Sequence, residues 1–112
     1  MAIINAASQG YWRKTKPEIP ASATIQVLTI PLDSFSSFKV YLEFSNNIEN
    51  KFKALEMRAF KVGATSVSDT IYSVISNSVN VLVNLNVVGS DAVLSVTNNE
   101  SFSLSTNVSY LI

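Results

Sequence analysis

Apolar and polar residues alternate one for one through much of this chain, and a period of two limits what it can become. Phe38, Val40, Leu42 and Phe44 are separated by Lys39, Tyr41 and Glu43. Val79, Val81, Val83, Leu85 and Val87 are interleaved with Asn80, Asn84 and Asn86. Ala92, Leu94 and Val96 repeat the pattern, and Phe102, Leu104, Val108, Tyr110 and Ile112 share one parity. Side chains two apart lie on the same face of a strand, whereas a helix would scatter them around its circumference. The alternation therefore predicts strands with one buried face.

Turn signals separate these runs. Residues 23–30 are rich in β-branched side chains and stop at Pro31, and Leu32-Asp33-Ser34 reads as a turn. Ser45-Asn46-Asn47 closes the Phe38 strand, and Gly89-Ser90-Asp91 and Thr97-Asn98-Asn99-Glu100 punctuate the last third, which reads as a three-stranded meander. Residues 51–62 fit two periods. Phe52, Leu55, Ala59 and Phe60 fall on a helical face, while Leu55, Met57 and Ala59 alternate with Glu56 and Arg58. The strand is preferred, since Val62-Gly63-Ala64-Thr65 resembles a hairpin turn into residues 66–75. The parity shifts at 54/55 and 59/60 then require bulges. The expected architecture is an all-β antiparallel sandwich, jelly-roll-like, of about seven or eight strands, with a small barrel as the other arrangement of the same strands.

Residues 1–22 break the pattern. They carry small side chains, Tyr11-Trp12, the basic run Arg13-Lys14-Thr15-Lys16, and two prolines, Pro17 and Pro20. Proline removes a ladder donor and disfavours a central strand. The division read from this is an extended N-terminal arm over 1–22 and a sandwich domain over 23–112. Tyr11, Trp12, Arg13, Lys14 and Lys16 are the candidate interaction residues, because aromatic and arginine side chains are the usual anchors of interfaces; the other readings are that Trp12 plugs one open end of its own sandwich or that the aromatic-basic run stacks on nucleic acid.

The chain of 112 residues is the size of one domain. Only 14% of residues are charged, below the usual ~25%, and Ser, Thr and Asn fill about a third of the sequence. Net charge is zero, which argues against non-specific nucleic-acid binding by the whole domain. All eight Lys and Arg precede Gly63, and only Asp69, Asp91 and Glu100 carry charge after it. Such a split has two readings: it favours head-to-tail contact between copies, or it is chance in a fold that brings both halves together.

No Cys or His is present, which removes disulfides, thiolate metal sites and His-based triads. The first residues lack the charged and apolar regions of a signal peptide, and no run approaches the ~20 apolar residues of a membrane span. A soluble protein made in a cytoplasm, with no membrane contact, is expected. The sequons at Asn99 and Asn107 then read as chance.

From residue 51 onward the order of features resembles a known class. The strand Lys53-Ala-Leu-Glu-Met-Arg-Ala-Phe-Lys61 leads to a tight turn and then to Asp69-Thr-Ile-Tyr72. A Val/Asn strand follows, with a Gly-Ser-Asp turn, Ala92-Val-Leu-Ser-Val-Thr97 and a final strand. This is similar to the small β-sandwich modules of tailed-bacteriophage virion proteins, which occur as tail-fibre end domains and free-standing particle proteins. The resemblance is one of pattern and transfers no functional residue. It implies a module that forms homo-oligomers or docks on other virion proteins.

No catalytic motif is visible. A Ser-Lys dyad has nothing to place it, and the carboxylates Glu43 and Glu56 read as solvent-facing partners of Lys39 or Arg58. No cofactor is implied. Tyr41 and Tyr72 are ordinary strand residues, or else the lining of a sugar-binding surface. Two functions follow: a non-enzymatic structural part of a phage-like virion (capsid decoration, collar or tail-associated), or a module binding a host-surface receptor or glycan.

Overall fold

In the computed structural model, which describes residues 13–76 and 79–112, the strands form two antiparallel sheets packed face to face. The elements are β1 (Arg13–Thr15), β2 (Glu18–Ile19), β3 (Thr24–Pro31), a 3-10 turn (Leu32–Ser34), β4 (Ser37–Asn46), β5 (Lys51–Val62), β6 (Ser66–Ser76), β7 (Val81–Val88), β8 (Asp91–Asn98) and β9 (Leu104–Leu111). The larger sheet runs β1-β9-β4-β5-β6, with β2 also on β9, and the smaller runs β3-β8-β7. The all-β sandwich expected from the alternation is the fold. Nine strands stand among the described residues, because the short β1 and β2 add to those the pattern marks.

Parity decides which side chains enter the core. From the larger sheet come Phe38, Val40, Leu42 and Phe44 of β4, Leu55, Met57 and Ala59 of β5, and Leu104 and Val108 of β9. From the smaller come Leu28, Ile30, Leu85, Ala92, Leu94 and Val96. Phe35 and Phe38 meet edge to face, 4.9 Å between centroids.

Residues 51–62 are strand throughout, and the bulges expected at 54/55 and 59/60 are not there. Phe52 and Phe60 instead keep the outward parity of the strand and stay about half exposed. The irregularity lies across the ladder, where Glu56 pairs with Ser73 and Met57 with Ile71, leaving Tyr72 as the extra residue of β6. A second bulge leaves Val27 unpaired between Gln26 and Leu28.

The expected C-terminal meander is corrected as well. β7 and β8 form a hairpin through Gly89, whose φ of 62° suits glycine. β9, however, leaves for the other sheet and pairs with β4, Lys39 opposite Leu111 through Ser45 opposite Ser105. The connection after Asn98 is too long for a tight hairpin, and Asn99 N–H donates to Asn80 O at 3.0 Å instead of returning along β8. β9 thus lies beside β4 as the fourth strand of a Greek key does, with the β7–β8 hairpin inserted before it.

Residues 13–19, part of the arm read from sequence, are extended and hydrogen-bonded to β9. Arg13 to Thr15 pair with Tyr110 to Val108, and Glu18 and Ile19 pair with Ser105 and Leu104. Pro17 interrupts this edge without leaving it, its carbonyl accepting Thr106 N–H at 3.1 Å. Ile19 is fully buried. Proline is tolerated here because nothing among the described residues pairs on the far side.

Where chains cross between the sheets, one buried side chain satisfies the backbone. Asn98 has 0% exposure. Its Nδ2 donates to Ile19 O (3.1 Å), Pro20 O (3.2 Å) and Phe102 O (2.8 Å), two protons shared among three carbonyls. Its Oδ1 accepts Glu100 N–H at 2.9 Å, and its own N–H donates to Ala23 O at 2.8 Å. Thr106 is the contrast: its Oγ1 is buried with no partner among the described residues.

Truncating Asn98 strands several buried groups at once, each costing about 1–3 kcal/mol. Asn98→Ala is expected to lower the unfolding free energy by about 2–4 kcal/mol in urea titration. Thr106→Val keeps the shape and removes an unpaired hydroxyl, so it should leave stability within about 1 kcal/mol of the parent or raise it. An Asn98→Ala protein as stable as the parent would show that water replaces the amide.

Candidate interaction surface

The outward parity of β4, β5 and β9 builds a polar face on the larger sheet. β4 contributes Lys39, Tyr41 and Glu43, β5 contributes Glu56, Arg58 and Phe60, and β6 contributes Thr70. The ladder sets them in rows. Leu111, Lys39, Arg58 and Thr70 lie side by side across four strands, and Ser109, Tyr41 and Glu56 form the next row. Lys39 and Arg58 line two adjoining open hollows together with Phe60.

The sequence reading paired Glu43 and Glu56 with these cations, but neither Lys39 nor Arg58 has an ion-pair partner among the described residues. Glu43 instead accepts a long hydrogen bond from Tyr41 Oη, 3.4 Å. Desolvation raises the Tyr41 phenol above its ordinary 10.0, and the charge of Glu43, the hydrogen bond to it and the charge of Glu56 push the same way. The phenol is thus held neutral between two carboxylates.

Of the arm residues singled out from sequence, Tyr11 and Trp12 lie outside the described residues. Arg13 and Lys14 stand opposite Tyr110 and Ser109 on β9, and Lys16 is exposed just beyond β1. The two charge-bearing halves of the sequence are interleaved: β5 lies against β6, and β4 against β9.

A second surface had no clear sequence signal. β6 is an edge strand of 11 residues, and nothing among the described residues pairs with its outer side. Its inward-parity residues Ile71 and Val74 remain 42% and 55% exposed, because the three-stranded sheet is too narrow to cover them. Ile75, on the outer face, is 61% exposed. Alternation alone cannot separate a covered face from one that overhangs its partner sheet.

Among the described residues no group of His, Cys, Asp and Glu is placed to hold a metal, and no helix is long and apolar enough to cross a membrane. No family model matches the chain, and no curated protein matches it. Among solved structures it is similar to the tailspike protein of Acinetobacter phage vB_ApiP_P1, with 12% identity and a TM-score of 0.49. That similarity covers 99% of this chain and 23% of the tailspike chain, so the chain spans under a quarter of the tailspike's length.

The Tyr41 environment is open to titration. In ultraviolet spectra, Tyr41→Phe should remove a component ionising above the ordinary tyrosine value of about 10. Since the folded state holds this proton more tightly than the unfolded chain, the associated stability is complete below about pH 10. It is lost as the pH rises through the raised value. Loss of a component at or below the ordinary value would contradict the carboxylate environment.

Proposed function

We infer that the protein is a non-enzymatic structural module of a phage-like virion, a capsid decoration, collar or tail-associated part, working through contacts between subunits. The open β6 edge carries this reading. A long edge strand presents unpaired N–H and C=O groups, and soluble proteins usually blunt it with lysine, proline or a cover. β6 has no basic residue or proline, Asp69 is its single charge, and apolar side chains flank the edge.

A second copy fits that edge. An antiparallel β6–β6 pair centred between residues 72 and 73 sets Ile71 opposite Val74 of the copy, Thr70 opposite Ile75 and Asp69 opposite Ser76. Register with β5 places Ile71 and Val74 on the inner face and Thr70 and Ile75 on the outer face, so the faces agree and no like charges meet. The bulge at Tyr72 makes this symmetric match possible. A two-fold axis makes each half the complement of the other. The phage-like setting is supported by the strand and turn order of residues 51–112.

Sedimentation equilibrium should show concentration-dependent dimers, with β6 amides protected from hydrogen exchange in the dimer. Val74→Lys adds a charge at an exposed position, so it should abolish the dimer while changing monomer stability by no more than about 0.5 kcal/mol. A chain that stays monomeric at every concentration, and binds no other particle protein through β6, removes the basis of the reading.

A further inference from the structure

The outer face of the larger sheet holds an arrangement that assembly through β6 does not use. Lys39 and Arg58 are direct cross-strand partners. Like charges placed opposite one another in a ladder oppose folding. Neither is neutralised by an ion pair or hydrogen bond among the described residues, although Glu43 and Glu56 lie on the same face. Lys39 is half-buried and Arg58 exposed, and both line the two hollows. Phe60, two residues beyond Arg58 on the same face, is 49% exposed and lines both as well. An anion seated between the cations relieves their repulsion, and a ring or apolar body attached to it covers Phe60.

We propose that Lys39 and Arg58 hold the carboxylate of an organic anion whose ring lies against Phe60. The guanidinium presents a planar fork that matches a carboxylate, and the ammonium adds a point charge from the neighbouring strand. In the adjacent row the Tyr41 phenol donates its proton to Glu43, so its oxygen is left as an acceptor for a hydroxyl group on the same ligand. The mixed charge of the face favours a carboxylate with a neutral frame over a multiply charged anion, which Glu56 would repel. The ring can be a sugar or an aromatic; both present a carboxylate beside a flat face.

The test is a nuclear magnetic resonance titration of the full chain at low salt with four probes: glucuronate, benzoate, glucose and inorganic phosphate. Glucuronate or benzoate should shift the Arg58 Nε–H signal and the backbone amides of residues 39, 58 and 60 with millimolar affinity, the amides serving as the readout in the variants, and the better of the two identifies the frame. Glucose should do nothing. Affinity should fall at least about tenfold in Lys39→Gln and in Arg58→Gln. Phe60→Ala should weaken it several-fold. Without ligand, Lys39→Gln should leave the melting temperature unchanged or raised at low salt, since a repulsion is removed; a lowered value would make the pair structural and overturn the proposal. Phosphate binding as tightly as the carboxylates and indifferent to Phe60→Ala would reduce the site to counterion attraction. Absence of shifts with both carboxylates up to about 10 mM would overturn it outright. Val74→Lys, on the other surface, should leave this titration unchanged, which separates failure here from failure of β6 assembly.

Discussion

The buried amide of Asn98 holds together what the sheets cannot. Two packed sheets share side-chain contacts but no ladder, so their strands are joined only where the chain crosses from one layer to the other. Among the described residues the chain crosses four times, after β2, β3, β6 and β8. At such corners the backbone leaves its ladder, and its polar groups must find partners or stay exposed. Asn98 serves two of the corners at once, taking Ile19, Pro20 and Ala23 on one side and Glu100 and Phe102 on the other. The segment bearing β1 and β2 is thereby fixed to the point where β8 gives way to β9. The position of β9, and so the closure of the larger sheet, depends on that corner. An apolar side chain would fill the space but could not join the two crossings.

The unequal width of the sheets sets the rest of the surface. Three strands cannot cover five, so β6 overhangs, and residues patterned for burial are left in solvent. On the opposite edge the chain closes β9 with two short strands broken at Pro17. Among the described residues the larger sheet therefore has one guarded edge and one open edge, and its outer face between them is free to carry polar groups unrelated to packing.

Much of this was legible in the sequence, and the limits have physical causes. Parity in β4, β7, β8 and β9 reports which side chains share a face, because that depends only on local pleating. It does not report which strand lies alongside, so β9 was read as the third strand of a meander although its ladder partner β4 lies far back in the chain. Phe52 and Phe60 are out of step with Leu55, Met57 and Ala59, and the parity shifts at 54/55 and 59/60 call for bulges only if all five face inward; the strand keeps its parity and exposes both rings. Asn98 sat in a run that resembles any turn, and nothing local distinguishes a buried asparagine from a solvated one. The pairing of Lys39 with Arg58 is likewise a product of register, visible only once β4 and β5 are aligned.

The place of β9 also fixes an order of events. β9 follows every other described strand in the chain, yet it lies inside the larger sheet, between β1 and β4. While the chain is being made, β4 can pair with β5 on one side only, and its other edge waits for residues not yet synthesised. The segment carrying β1 and β2, which emerges before β4, waits for the same strand. The larger sheet is thus completed in one late step, after its last strand has left the ribosome. Until then an unpaired β4 edge, with Phe38, Val40, Leu42 and Phe44 along it, is the surface most at risk of meeting the wrong neighbour.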